Sequence, residues 1–137
     1  MLNQLRKFFR WFLLGDAPLG AFVPSDAATS TFRDPALSTT AVAVKASAGS
    51  VVGYNIFNPG SALAYVHFYD VAQGSVTVGT TVPKLSLPLP SNSSATVGID
   101  SKQASVPYST AITVAASTTP GGSTAPGTAL VVNILYN

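Results

Sequence analysis

The chain has 137 residues, of which only 9% are charged: seven Lys or Arg, five Asp and no Glu, with a single His and no Cys. Average globular proteins carry about 25% charge, and a surface helix needs charged side chains on its outward positions, so a mainly helical fold is excluded, while an apolar fraction of 47% excludes wholesale disorder. Without Cys there is no disulfide, no thiolate metal ligand and no cysteine nucleophile, and one His with five scattered Asp leaves little inventory for acid–base catalysis.

Residues 1–14 hold Arg6, Lys7 and Arg10 and no acid; the other 123 residues hold four cations against five Asp and are nearly neutral. A nucleic-acid surface needs several cations on one face, and the body does not supply them. Along this first segment Leu2, Leu5, Phe8, Phe9, Phe12 and Leu13 fall within one arc of about 140° at helical periodicity, with Asn3, Arg6, Lys7 and Arg10 opposite. Gly15 and Pro18 suit the end of such a helix. The pattern predicts an amphipathic helix that docks on a partner, lies on a membrane surface or packs on its own domain. Arg10 leaves too short an apolar run for a secretory signal, and no stretch approaches the ~18 apolar residues of a membrane span.

Residues 15–39 contain three Pro and two Gly and keep no period, which predicts an extended arm that Phe22, Val23 and Phe32 could anchor to a surface. From residue 40 the period becomes two, with turn residues every 8–12 positions. Strands are expected at 40–46, 50–58, 63–70, 84–89, 95–99, 108–115 and 128–136, with a weaker one at 75–82 broken by Gly79. Within them Val52, Tyr54 and Ile56 share a face, as do Leu85, Leu87 and Leu89, and Leu130, Val132, Ile134 and Tyr136. Pro88 lacks an N–H and places its strand at an edge or a bulge. These spacings leave no room for crossover helices, so the fold class is all-β: an antiparallel two-sheet sandwich over 40–137, jelly-roll or Ig-like, preceded by helix 1–14 and arm 15–39.

No catalytic, cofactor or metal motif is present: there is no G-x-S-x-G, no P-loop and no EF-hand spacing. His67 lies between Tyr65 and Tyr69 on a strand face with Leu63, a face suited to a neighbouring subunit, the arm or a stacked sugar.

The stretch KASAGSVVGYNIFNPGSALAYVHFYDVAQGSVTVGTTVPKLSLPLP, residues 45–90, with the ending VVNILYN, residues 131–137, resembles a segment that recurs in small open reading frames of tailed bacteriophages. Such proteins are similar to virion surface proteins, among them capsid decoration (cement) proteins and tail or head-fibre components. The resemblance implies a structural, non-enzymatic role at the particle surface, a homotrimer, and the major capsid protein or another virion protein as partner. It covers residues 40–137 and not the helix or arm; on the residues themselves the attachment surface falls to Leu2, Leu5, Phe8, Phe9, Phe12, Leu13, Phe22 and Phe32. A carbohydrate-binding sandwich is the alternative.

Overall fold

The computed structural model describes residues 30–97 and 105–137. The expected helix 1–14, with Leu2, Leu5, Phe8, Phe9, Phe12 and Leu13, and the first part of the arm, with Phe22, lie outside the described residues, as does Ile99.

Nine strands form, with no α-helix among the described residues: β1 (Ser30–Leu37), β2 (Val42–Lys45), β3 (Gly49–Asn58), β4 (Ala64–Tyr69), β5 (Leu85–Leu89), β6 (Ser93–Val97), β7 (Val106–Tyr108), β8 (Ile112–Ser117) and β9 (Leu130–Tyr136). They make two antiparallel sheets. One runs β1-β9-β3-β6, with β7 also paired to β3; the other runs β2-β8-β4-β5. Six of the connections carry the chain from one sheet to the other, so each hydrophobic face finds its partner in the opposite layer.

The core between the layers follows from the period-two pattern. Ala64, Val66 and Phe68 of β4, Ile112, Val114 and Ala116 of β8, and Leu130, Val132 and Ile134 of β9 belong to one buried cluster. Phe68 stands opposite Leu85 on one side and Val114 on the other, and it is fully buried. Leu85 and Leu87 pack on this cluster half-buried, and Leu89 lies within it. In β3 a register shift between Val51 and Gly53 changes the parity. Val51, not Val52, therefore joins Tyr54 and Ile56 on the core side.

The arm's boundary is corrected by β1. Residues 30–37 are a strand of the sandwich, paired from Ser30↔Tyr136 to Leu37↔Leu130. Phe32, expected as a partner-binding anchor, sits opposite Ile134 and packs half-buried on the protein's own core. The ladder shifts between Asp34 and Leu37, where Pro35 supplies no N–H and the Asp34 carboxylate accepts the Ala36 N–H at 2.8 Å.

Three of the outermost strands carry proline: Pro35 in β1, Pro88 in β5 and Pro107 in β7. A proline here removes a donor that another chain could pair with, which blunts edge-to-edge association. The expected strand at 75–82 does not form. A 3-10 turn at Gln73–Ser75 is followed by local bonds from the Thr80 and Thr81 N–H groups to the Thr77 carbonyl, and Gly79 has φ 92°. Val76 and Val78 do alternate, but the segment has no neighbouring strand to satisfy its backbone.

Asn92 enters β6 in the left-handed region, at φ 48°, with its N–H on the Gly60 carbonyl at 2.9 Å. Asn tolerates this conformation better than other side-chain-bearing residues. Urea denaturation of Asn92→Ala is expected to show a loss of about 1 kcal/mol, and Asn92→Gly a change below about 0.5 kcal/mol.

Candidate functional site

Among the described residues the chemistry-bearing side chains gather in two places, both on or beside strand β4 of the β2-β8-β4-β5 sheet. The first is the face of β4 turned away from the core. Of the readings open for the Leu63/Tyr65/His67/Tyr69 face, an exposed sugar-stacking platform does not fit: His67 and Tyr69 are 0% exposed, and only Leu63, at 45%, and Tyr65 reach the surface. From β8 the same face receives Thr113, Ala115 and Ser117, all fully buried. Residues 71–84 and 118–127 approach each other: a Cβ added at Gly79 would lie 2.7 Å from the Ser123 side chain. The Thr113 hydroxyl donates to the Val71 carbonyl at 2.7 Å. A sugar or a neighbouring subunit therefore finds no open aromatic platform at His67.

His67 lies within 2.8 Å of the Ser86 hydroxyl through Nδ1 and 2.7 Å of the Ser117 hydroxyl through Nε2. Burial pushes its pKa below the ordinary histidine value, with the Thr119 carbonyl pulling the other way. Tyr65 stacks on the imidazole at 6.4 Å between centroids, and Tyr69 meets it edge-on at 6.2 Å. The imidazole is fully buried between the Ser86 and Ser117 hydroxyls, and no carboxylate among the described residues bonds to it.

The second gathering surrounds Asp70, just past β4. Its carboxylate accepts the N–H groups of Ser109 at 2.9 Å, Thr110 at 2.7 Å and Ala111 at 3.4 Å, the Ser109 hydroxyl at 3.0 Å, and the Lys84 ammonium at 3.3 Å. Residues 109–111 are where the chain leaves β7 in one sheet for β8 in the other. The expected single strand over 108–115 is thus two strands with this corner between them. Lys84 also donates to the Pro107 carbonyl and lies 4.9 Å from the Tyr108 ring centre. Asp70 is a clamp on a sheet crossing, with every donor around it contributed by the fold.

Two cavities accompany these groups. One, of about 190 Å³, lies beside the β3 bulge and is lined by Val52, Tyr54, Leu85, Leu87, Val97 and Tyr108 among others; the second, of about 60 Å³, lies at the Asn58–Ala64 corner. Neither contains a cluster of titratable groups. No group of three or more His, Asp or Glu side chains that could hold a metal ion exists among the described residues, and no helix among them is long and apolar enough to cross a membrane.

The outer face of the β1-β9-β3-β6 sheet is the other large surface. Asn133 lies opposite Arg33 of β1 and Asn55 of β3, and Asn55 donates to the Thr96 hydroxyl at 2.8 Å. Phe57 is 36% exposed on the same side, beside half-buried Val131. Arg33 is its single charge among the described residues. Compared with known proteins, the chain matches no family model, no curated protein and no solved structure.

Proposed function

We propose that the protein is a non-enzymatic structural component of a bacteriophage particle, a cement or decoration protein held to the shell by its N-terminal helix and arm. The observation that carries this reading is the strand order. A β1-β9-β3-β6 layer facing a β2-β8-β4-β5 layer has the double interleaving of a jelly roll, with β6 and β7 sharing the place of one strand along β3. Jelly rolls recur in viral capsid and lectin domains. Of those two uses, a lectin-like role loses its support with the burial of His67 and Tyr69. Lys45, His67, Asp70 and Lys84 are engaged in holding corners and strands together, and the resemblance of residues 45–90 to phage open reading frames points to the particle surface.

A shell-binding protein needs a surface to bind with, and residues 1–14 offer six apolar side chains on one face joined to the body by a Pro/Gly-rich segment. Each such side chain gains roughly 1.5–3 kcal/mol on full burial, and a helix this short is marginal alone in water, so docking and ordering occur together. Phe9→Asp combined with Phe12→Asp is expected to leave the sandwich folded and to abolish decoration of particles in a co-sedimentation assay. Normal decoration by that variant, or by a chain starting at residue 16, would move the attachment surface to the sandwich.

A further inference from the structure

The protons of the buried chain Ser86–His67–Ser117 can be assigned. The Ser117 hydroxyl donates its hydrogen to the Thr119 carbonyl at 2.6 Å, so its oxygen accepts from His67 Nε2–H at 2.7 Å. That leaves Nδ1 without a hydrogen, accepting from the Ser86 hydroxyl at 2.8 Å. The imidazole thereby fastens β5 on one side of β4 and β8 on the other, and through Ser117 it reaches the first residues of the segment 118–127. We propose that His67 is an acid-sensitive latch: a second proton on its buried ring places a charge that no described neighbour balances, and residues 118–127 lift from the outer face of the sheet to let water reach it, while the core between the sheets stays folded.

One feature makes the protonated state unwelcome. Half-buried Ser86 can turn its hydroxyl and accept from Nδ1–H, so the hydrogen bonds survive, but the added charge has no counter-ion among the described residues. From β4 the ring is faced by Tyr65 and Tyr69; β8 contributes Thr113, Ala115 and Ser117; residues 71–83 and 118–127 contain no ionisable side chain. Lys84, ahead of Ser86 in the chain, is itself a cation, and Asp70 is committed to Lys84 and to the 109–111 corner. A buried unpaired charge is expelled by protonation equilibrium or by opening of whatever covers it.

The opening is local because the covering segment is held lightly. Residues 118–127 contain Pro120, Gly121, Gly122, Pro126 and Gly127 and are closed by two backbone bonds, Thr118 N–H to the Thr124 carbonyl and Gly122 N–H to the Thr119 carbonyl, besides the Ser117 link. Val66, Phe68, Val114 and Ala116 point to the other side of the sheet and keep their own packing.

The experiment follows the His67 ring by NMR through acid titration and measures amide hydrogen exchange, corrected for intrinsic rate, at about pH 7 and about pH 5. Protection of residues 118–127 is expected to fall measurably as His67 takes up its proton, with β3 and β9 amides unchanged. His67→Gln, which donates and accepts without titrating, is expected to abolish the acid response. Unchanged protection of 118–127 across the His67 titration, equal loss over β3 and β9, or the same response in a folded glutamine variant would each overturn the latch. Should the glutamine variant fail to fold, the wild-type titration decides alone.

Discussion

Asn58→Asp is expected to cost about 4 kcal/mol of stability. Asn58 is 1% exposed. Its amide nitrogen faces the carbonyls of Ala62 at 2.9 Å, Leu89 at 3.0 Å and Pro90 at 3.0 Å, while its oxygen accepts the Gly60 N–H at 2.9 Å. One side chain thus fastens both the β3–β4 crossing and the β5–β6 crossing. A carboxylate in its place directs a buried negative oxygen at three carbonyl oxygens and leaves all three without a donor. The sign with pH follows: the new group has a pKa raised above the unfolded value, so its deficit is greatest at neutral pH and shrinks on acidification, when the protonated oxygen again donates one bond. Asn58→Ala loses the bonds without adding the charge and is expected to cost about 2–3 kcal/mol. Urea denaturation at neutral and mildly acid pH measures both, and an aspartate variant within about 1 kcal/mol of wild type would show that the corner relaxes around the change.

Asp70→Ala is the second large effect, expected at about 2–3 kcal/mol. The Ser109 N–H chiefly holds the Asp70 carboxyl well below the usual carboxylate range, with partial burial opposing and the Thr110 N–H, the Ser109 hydroxyl and Lys84 adding to it. A carboxylate whose folded pKa is depressed contributes stability that is complete above its unfolded value, near 3.8, and is lost as pH falls below that value. Wild type is therefore expected to lose stability below about pH 4, and the alanine variant to lack that component. The side chain is 19% exposed, so the Lys84 contact alone adds little; the turn N–H groups dominate. An alanine variant with the wild-type acid profile would move the origin of the acid loss elsewhere.

These two corners also mark how far the fold was legible in the chain. Strands with clean alternation, such as Leu85–Leu89 and Leu130–Tyr136, were visible because one face is buried and the other is not, and Pro88 pointed correctly to an edge. β1 was not, because Pro35 and the Asp34 turn interrupt its alternation and its register is set by β9 rather than by its own pattern. Val76 and Val78 alternated without becoming a strand, since alternation reports half-burial and not pairing. The β3 bulge exchanged Val51 for Val52, a one-residue event that no composition records. For the site, the reach of Asn58 to the Leu89 and Pro90 carbonyls is a tertiary fact that the sequence around it does not record. The alternation of β4 placed His67 on the face with Tyr65 and Tyr69, but which segment covers that face is set by tertiary contacts of residues 118–127 that no local pattern records.

The pairing of β1 and β9 has a kinetic meaning. Ser30 meets Tyr136 across nearly the whole described length, and β9 lies between β1 and β3. Until residues 130–136 have left the ribosome, β1 has nothing to pair with and β3 has neighbours on one side only. The sheet is thus completed only once β9 has emerged. Contacts so distant in sequence close slowly, roughly on the scale of milliseconds to seconds. During that interval β3, whose Val51-Val52 and Ile56-Phe57 are apolar, is an open edge, and nascent chains crowded on one message are exposed to mispairing with each other. The prolines of β1, β5 and β7 guard the finished molecule, but β3 itself is guarded only by the arrival of its last neighbour.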